Sequence, residues 1–292
     1  MPICRFQLRQ TAGGSARLGW VDRERERVFE LTGTLGDLLR LGATERLDRL
    51  VALRRSNVGS YPLTAVNLVA PVDEQEVWAA GVTYARSRDA RMEESTQEDV
   101  YERIYFAARP ELFFKAAGWR CVGPGARVGI RGDSDWNVPE PELTLVIDGN
   151  GEIAGYTIGN DVSSRSIEGE NPLYLPQAKS YFASCALGPW IVLPEELDDP
   201  TQMSIRVAIE RGGSVAWEGE ASTATMQRTF ADLVSYLYRA LDFPAGALLM
   251  TGTGLVPPAE VTLQQDDVVR IEIDGIGMLE NRVAVVAVRG SE

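Results

Sequence analysis

The sequence predicts a β-rich fold with a minority of helices, in two unequal parts. Three observations carry this. Short apolar, β-branched runs recur along the chain, separated by Gly, Pro, Asn and Asp turn signals. Only Phe230 to Leu241 shows a clear helical period, with Leu233, Val234, Leu237 and Leu241 on one face. The first 70 residues carry no chemical motif and end at Leu68-Val69-Ala70-Pro71, so a small leading unit is expected over 1–70 and a larger one over 71–292.

Composition sets the class. The 292 residues are 45% hydrophobic and 24% charged, which suits a globular protein with a sizeable core. A net charge of −13 with no Lys/Arg cluster excludes a general nucleic-acid or anionic-membrane role. No apolar run reaches membrane-spanning length, and the N-terminus lacks a signal-peptide pattern. Cys4, Cys121 and Cys185 are widely spaced and odd in number, so neither a disulfide framework nor a zinc site is expected, and a reducing cytoplasm is. The chain has no histidine. That excludes Ser-His-Asp, Cys-His and His-ligated metal mechanisms within it.

In order along the chain, Ile3 to Leu8 and Ala16 to Val21 read as short strands. Thr34 caps a helix over 34–41, with Asp37 three residues on. Val77 to Tyr84 is a buried strand that opens into a polar segment, 85–105, expected to be helical. Arg109-Pro110-Glu111-Leu112-Phe113-Phe114-Lys115 joins a carboxylate to an aromatic strand. Residues 165–180 read as irregular and hold Glu168, Glu170, Tyr174 and Lys179. Val207 to Glu220 reads as a hairpin around Arg211-Gly212-Gly213. Leu248-Leu249-Met250 runs into Thr251-Gly252-Thr253-Gly254, which is not a nucleotide loop because no Gly-Lys-Ser/Thr follows. Its backbone N–H groups and hydroxyls could hold a carboxylate, or it is a simple turn. Strands at 268–273 and 283–288 end the chain.

The chemistry gathers at Val138-Pro139-Glu140-Pro141-Glu142-Leu143-Thr144-Leu145-Val146-Ile147. In an extended chain Glu140 and Glu142 share one face, roughly 6.6 Å apart along the strand. Pro139 and Pro141 hold the entry extended. Asp148-Gly149-Asn150-Gly151 signals a hairpin that would return Asp161 to the same end. Like charges at ~4 Å cost about 4 kcal/mol per pair at an effective dielectric near 20, so such a cluster asks for a cation. All-oxygen ligands favour Mg²⁺, Mn²⁺ or Ca²⁺. The alternative at this level is that the two glutamates line a solvated edge and Asp161 is a turn residue.

Pro110 to Lys115, Pro139 to Leu143, Gly155-Tyr156-Thr157, Asn160-Asp161-Val162-Ser163-Ser164-Arg165, Leu187-Gly188-Pro189-Trp190 and Thr251-Gly252-Thr253 occur in this order. Over residues 71–290 the chain thereby resembles the fumarylacetoacetate hydrolase family. The resemblance implies an α+β class, with a β-rich fumarylacetoacetate hydrolase-like catalytic domain and a small N-terminal α+β domain. It implies Mg²⁺ (or Mn²⁺) held by Glu140, Glu142 and Asp161. Family hydrolases show Asn-Tyr and an Asp-His step after the Gly81 strand, whereas this chain reads Thr83-Tyr84-Ala85-Arg86-Ser87-Arg88-Asp89 without histidine. From Tyr101 to Val192 it is more similar to the 2-keto-3-deoxy-D-arabinonate dehydratase branch, above all at Glu170-Asn171-Pro172-Leu173-Tyr174-Leu175-Pro176-Gln177 with Lys179.

That match implies Glu111 and Lys179 as the acid/base pair, in either order. The expected reaction is dehydration of a 2-keto-3-deoxy sugar acid to 2-oxoglutarate semialdehyde through a metal-stabilised enolate, which needs no activated water. A deprotonated Lys179 would act at C3, and a nearby dication favours its neutral form. Substrate contacts are expected from Thr83, Arg86, Lys115, Tyr174 and Thr253. The alternatives are a metal-dependent hydrolase or decarboxylase of a β-diketo acid, and a non-catalytic metal-binding module. The expected partner is a small 2-keto acid, with no nucleic acid or membrane, and the family implies a homo-oligomer, dimer or tetramer.

Overall fold

The computed structural model describes residues 2–10, 14–56, 59–94 and 98–287. The leading segment folds into strands β1 (Ile3–Leu8), β2 (Arg17–Asp22), β3 (Arg27–Leu31), β4 (Ser60–Pro62) and β5 (Val66–Val69). Helices α1 (Leu35–Leu39) and α2 (Ala43–Ser56) lie between β3 and β4. Then follow β6 (Glu76–Gly81), α3 (Ala85–Glu94), α4 (Glu98–Phe106), β7 (Glu111–Ala117), β8 (Arg127–Arg131), β9 (Asn137–Val138), β10 (Pro141–Ile147), β11 (Ile153–Asp161) and β12 (Ser163–Ser164). The chain continues through α5 (Arg165–Glu170), α6 (Leu175–Lys179), β13 (Cys185–Val192), β14 (Ser204–Arg211), β15 (Ser214–Ser222), α7 (Phe230–Leu237), β16 (Ala247–Met250), β17 (Val268–Ile273) and β18 (Gly277–Val286). Among the described residues no helix is long and apolar enough to cross a membrane.

An eleven-stranded sheet runs β4-β3-β2-β1-β13-β11-β10-β16-β6-β7, with β5 also on β1. The leading strands enter it where Ile3 pairs with Ile191. A five-stranded sheet, β15-β14-β17-β18-β8, packs against it. The strand β10 is buried at every position, as its continuous apolar run requires. Alternation divides it: Leu143, Leu145 and Ile147 face the core shared with Val207, Ile271 and Leu279, while Val146 faces the core of Leu38, Leu39 and Leu248. Burying each such side chain contributes about 1.5–3 kcal/mol, so the sheet's middle is its most strongly held part.

The β10–β11 hairpin forms where its turn signal lies. Asp148 Oδ1 accepts the N–H of Asn150 at 2.9 Å and of Glu152 at 3.0 Å. Its Oδ2 accepts from the buried Arg46 of α2 at 2.8 Å, so an ion pair ties the leading segment to the hairpin. The α1 cap also forms as expected: Thr34 Oγ1 accepts from Asp37 N at 3.1 Å, and Thr34 N donates back to Asp37 Oδ2 at 2.9 Å. The hairpin around Gly212-Gly213 is β14–β15.

Residues 85–105 are helical as expected, in two helices, α3 and α4, with residues 95–97 between them outside the described residues. Two expectations need correction. The helix from Phe230 ends at Leu237, so Leu241 is 43% exposed rather than on its apolar face. The chain turns there to bury Phe243, which packs on Tyr238 and Trp78. Residues 165–180 are not irregular but hold α5, a 3-10 turn and α6. Ser164 caps α5, Asn171 caps the turn, and Pro172 and Pro176 start the next pieces, which keeps each to a turn or two. The last strand runs over Gly277–Val286, and Val288 of the expected strand lies outside the described residues.

Candidate metal centre and active site

Antiparallel register does for Asp161 what spacing predicts. Pro141 pairs with Asn160. Asp161 N then donates to Glu140 O at 3.0 Å, and Glu140 N donates to Asn160 Oδ1 at 3.2 Å. Glu140, Glu142 and Asp161 are all buried, and each offers one oxygen within 4.8 Å of the others. A chain that pairs its strands this way has no means of keeping the three carboxylates apart.

Two different environments hold them. Glu140 and Asp161 face cations. Lys179 Nζ, at the end of α6, donates to Glu140 Oε2 at 2.6 Å, Asp161 Oδ2 at 3.1 Å and Ser163 Oγ at 2.6 Å. Lys115, in the bulge of β7 opposite Val77 and Trp78, places Nζ 2.5 Å from Asp161 Oδ1. Lys115 Nζ also donates to Val162 O at 3.0 Å and Lys179 O at 2.5 Å. Arg165 Nη2 lies 2.9 Å from Glu140 Oε1, and its Nη1 lies 3.7 Å from Glu168 Oε2. Glu142, in contrast, accepts a backbone bond, from Gly252 N to Oε2 at 2.6 Å.

In the Thr251-Gly252-Thr253 turn the Gly252 N–H is taken by a carboxylate of the protein itself, that of Glu142. Gly252 sits at φ +91°, and a Cβ there would come within 2.0 Å of Thr83 Oγ1. Thr83 Oγ1 donates to Thr251 O at 2.6 Å, which locks the turn against β6. Thr253 Oγ1 is engaged locally: it accepts from Leu255 N at 3.0 Å and donates to Leu255 O at 3.2 Å.

The donor set fits a hard divalent cation. Four buried carboxylates, Glu140, Glu142, Asp161 and Glu168, face three buried cations, Lys115, Lys179 and Arg165. Among the described residues, Glu142 is the one of the four that is held by a backbone N–H rather than an ion pair. Burial first, then Asp161 and Glu140, push its carboxyl well above the usual range, against the pull of Lys179 and the Gly252 N–H. Oxygen ligands with residual negative charge are what Mg²⁺ or Mn²⁺ takes.

The expected acid/base residue Glu111 starts β7 opposite Gly81. A Cβ on Gly81 would lie 2.0 Å from Glu111 Oε2, so the carboxylate packs over bare backbone. Two residues on, Phe113 lies with its ring 5.6 Å from Lys179 Nζ. Strand alternation puts Glu111 and Phe113 on one face, the face of Lys179. Arg86, on α3, and Tyr174, before α6, are exposed. Residue types alone do not single out Arg165, Glu168 and Ser163; burial of the first two marks them, since a fully buried arginine or glutamate needs a partner. Tyr84 is a further buried group whose hydroxyl has no hydrogen-bond partner among the described residues. Burial, then the charge of Glu142, push it up and keep it protonated.

Comparison with known proteins identifies relatives over most of the chain. The family model for the fumarylacetoacetate (FAA) hydrolase C-terminal region matches residues 76–284. The chain is 49% identical over 257 residues to a probable 2-keto-3-deoxyxylonate dehydratase of Haloferax volcanii, covering 87% of this chain and 89% of that one. It is 43% identical over 229 residues to the 2-dehydro-3-deoxy-D-arabinonate dehydratase of Saccharolobus solfataricus, covering 77% of each. A solved structure of 2-keto-3-deoxy-D-arabinonate dehydratase complexed with magnesium and 2,5-dioxopentanoate superposes with a TM-score of 0.83 at 34% identity, over 99% of this chain and 100% of that one. The matched region includes all three clustered carboxylates, Lys179 and the Gly252 turn, and the chain belongs to the fumarylacetoacetate hydrolase family.

Proposed function

We propose that this protein is a Mg²⁺-dependent hydro-lyase that removes water from a 2-keto-3-deoxy sugar acid, in the first place 2-keto-3-deoxy-D-arabinonate. The observation that carries this is Lys179: a lysine, not a histidine, reaches two of the three clustered carboxylates. Its similarity to two dehydratases supports the substrate class. D-Arabinonate and D-xylonate differ only at C2 and C3, and both centres disappear in the 2-keto-3-deoxy form. The two relatives' names thus describe one C5 skeleton.

Glu140, Glu142 and Asp161 would hold the ion. When bound, Mg²⁺ supplies Lewis acidity toward a chelating 2-keto carboxylate. The remaining work falls to the chain. Lys179, as the free amine, takes a proton from C3. The electron pair forms the C3–C4 double bond, and the C4 hydroxyl leaves as water with a proton from Glu111. The resulting 2-keto-3-ene isomerises, moving hydrogen from C5 toward C3, to 2,5-dioxopentanoate. One water is lost and the oxidation level is conserved. Lys115 and Arg165 position Asp161 and Glu140, while Thr83 and Gly252 position Glu142. Tyr84 is available to donate its O–H to the substrate, and the exposed Arg86 and Tyr174 can donate to it from the margin with guanidinium N–H and phenol O–H. Family membership supports a homo-oligomer, dimer or tetramer, a cytoplasmic location and a division into residues 1–70 and 71–292; light scattering checks the first.

The test uses purified protein, Mg²⁺ and 2-keto-3-deoxypentonate in deuterated solvent. Mass spectrometry should show water loss and 2,5-dioxopentanoate. Lys179→Met should lower turnover about 10²–10⁴-fold and abolish C3 hydrogen exchange. Glu111→Gln should lose turnover but keep exchange. The opposite pattern swaps the two roles. Release of pyruvate by the wild type, with exchange unaltered in both variants, would overturn dehydration in favour of carbon–carbon hydrolysis.

A further inference from the structure

Two thiols lie behind the carboxylate cluster and take no part in the chemistry above. Cys121 and Cys185 are both free, with Sγ atoms 3.5 Å apart. They sit on neighbouring segments in parallel register: Val122 bridges Ala186, Val122 N donates to Cys185 O at 2.9 Å, and Leu187 N donates to Val122 O at 3.0 Å. Adjacent strands run about 4.8 Å apart, and disulfides span Cα separations of about 4.4–6.8 Å. The backbone is therefore already placed for a bond, and the sulfurs need to close by only about 1.5 Å to reach the ~2.05 Å of a disulfide.

Cys185 is tied to the metal centre. It is the direct cross-strand partner of Asp161. Its neighbour Ser184 accepts the Val162 N–H at 3.0 Å through its carbonyl, and Ser184 Oγ donates to Lys179 O at 2.7 Å. One β13 terminus thus supports both a metal-ligand candidate and the lysine base.

We propose that Cys121 and Cys185 form a reversible disulfide that switches the metal centre off under oxidation. The oxidant is a small-molecule disulfide. Cys121, the half-buried member, attacks one of its sulfurs; the external S–S bond breaks, and one small thiol leaves with the proton from Cys121. Buried Cys185 then attacks Cys121 Sγ, and the second small thiol leaves with its proton. Two protein thiols are oxidised and one external disulfide is reduced. Drawing Cys185 toward Cys121 shifts the strand beside Asp161 and the Ser184 bond to Lys179.

The effect on catalysis rests on the metal reading of Glu140, Glu142 and Asp161; formation of the bond does not. The experiment treats the full-length, Mg²⁺-loaded protein with oxidised glutathione. The expected result is a mass lower by two hydrogen atoms, a Cys121–Cys185 cross-linked peptide, and loss of Mg²⁺ affinity or turnover by about 10–100-fold, the usual size for disturbing groups behind a metal ligand. Dithiothreitol should restore both. Cys121→Ser should keep its turnover and ignore the oxidant. Three titratable thiols after oxidation, or a cross-link to Cys4, would overturn the pairing. A Cys121–Cys185 bond with unchanged affinity and turnover would overturn the switch. A reduced enzyme that binds no Mg²⁺ would instead sink the functional reading, while the mass measurement still decides the bond.

Discussion

The two walls of the metal centre hold the same kind of group by different means. On the β11–α6 side, Glu140 and Asp161 are surrounded by Lys115, Lys179 and Arg165, all buried. On the β16 side, Glu142 is held by the Gly252 N–H, and burial outweighs the pull of Lys179 on its carboxyl. The first wall is neutralised without metal. The second holds a carboxyl that burial and its anionic neighbours keep protonated in the metal-free protein, and that would give up its proton to the ion. Two glutamates on one face of one strand entry thus have opposite effects on the metal-free protein.

Neutralising each glutamate in turn separates them most sharply. Glu140→Gln leaves Lys179 and Arg165 without their shared anion, and should destabilise the metal-free protein by about 3–5 kcal/mol, as breaking a buried ion pair does. Glu142→Gln removes the cost of keeping this buried carboxyl protonated, while its amide oxygen still accepts from Gly252. Metal-free melting temperature should rise, and the stabilisation by added Mg²⁺ should vanish. Thermal melts with and without Mg²⁺ decide it; equal destabilisation by both changes would erase the contrast between the walls.

Next in size is the turn itself. Gly252→Ala meets both a left-handed φ of +91° and Thr83 Oγ1 at 2.0 Å. Strain of about 1–3 kcal/mol should tilt the turn and release Glu142. Calorimetric Mg²⁺ affinity should fall more than stability does. A wild-type affinity would show that the Gly252 N–H is not what places Glu142.

The pH dependence follows from the raised Glu142 carboxyl. Its ordinary value is 4.5, which the unfolded chain keeps. Below that both states bind the proton. Above it the unfolded chain releases the proton while the folded, metal-free protein retains it, so stability falls as pH rises toward the raised folded value. Mg²⁺ displaces that proton, and its stabilising effect should therefore grow with pH over the same window. A Mg²⁺-induced melting shift independent of pH there would contradict the assignment.

The smallest effect is expected at Thr253→Val. Its hydroxyl serves Leu255 on both sides, so the loss is about 0.5–1.5 kcal/mol of local hydrogen bonding, seen as a lower melting point. A KM rise without any loss of stability would instead place the hydroxyl on the substrate.

Much of the centre is local in origin and hence legible in the sequence. Alternation puts Glu140 and Glu142 together, and a four-residue turn signal returns Asp161 to them. These are short-range consequences of strand geometry. The same holds for the α1 cap and the β14–β15 hairpin. The helix after Phe230 ended early because burying Phe243 outweighed continuing the helical period, a tertiary preference that no local pattern contains.

What only the tertiary structure decided is which charges meet. Lys115 was expected to contact the substrate, and a bulge in β7 turns its ammonium onto Asp161 and the Lys179 carbonyl. Arg165 is one charge among many in the sequence; burial against Glu140 makes it part of the centre. The Gly252 turn could hold any anion, and the register of β16 on β10 gives it Glu142. The sequence alone determined that two glutamates share one face, that a hairpin signal points Asp161 back toward them, and that no histidine could serve them. Which lysine balances which carboxylate depends on strands far apart in the chain, because Coulomb energy follows distance in space and not separation in sequence.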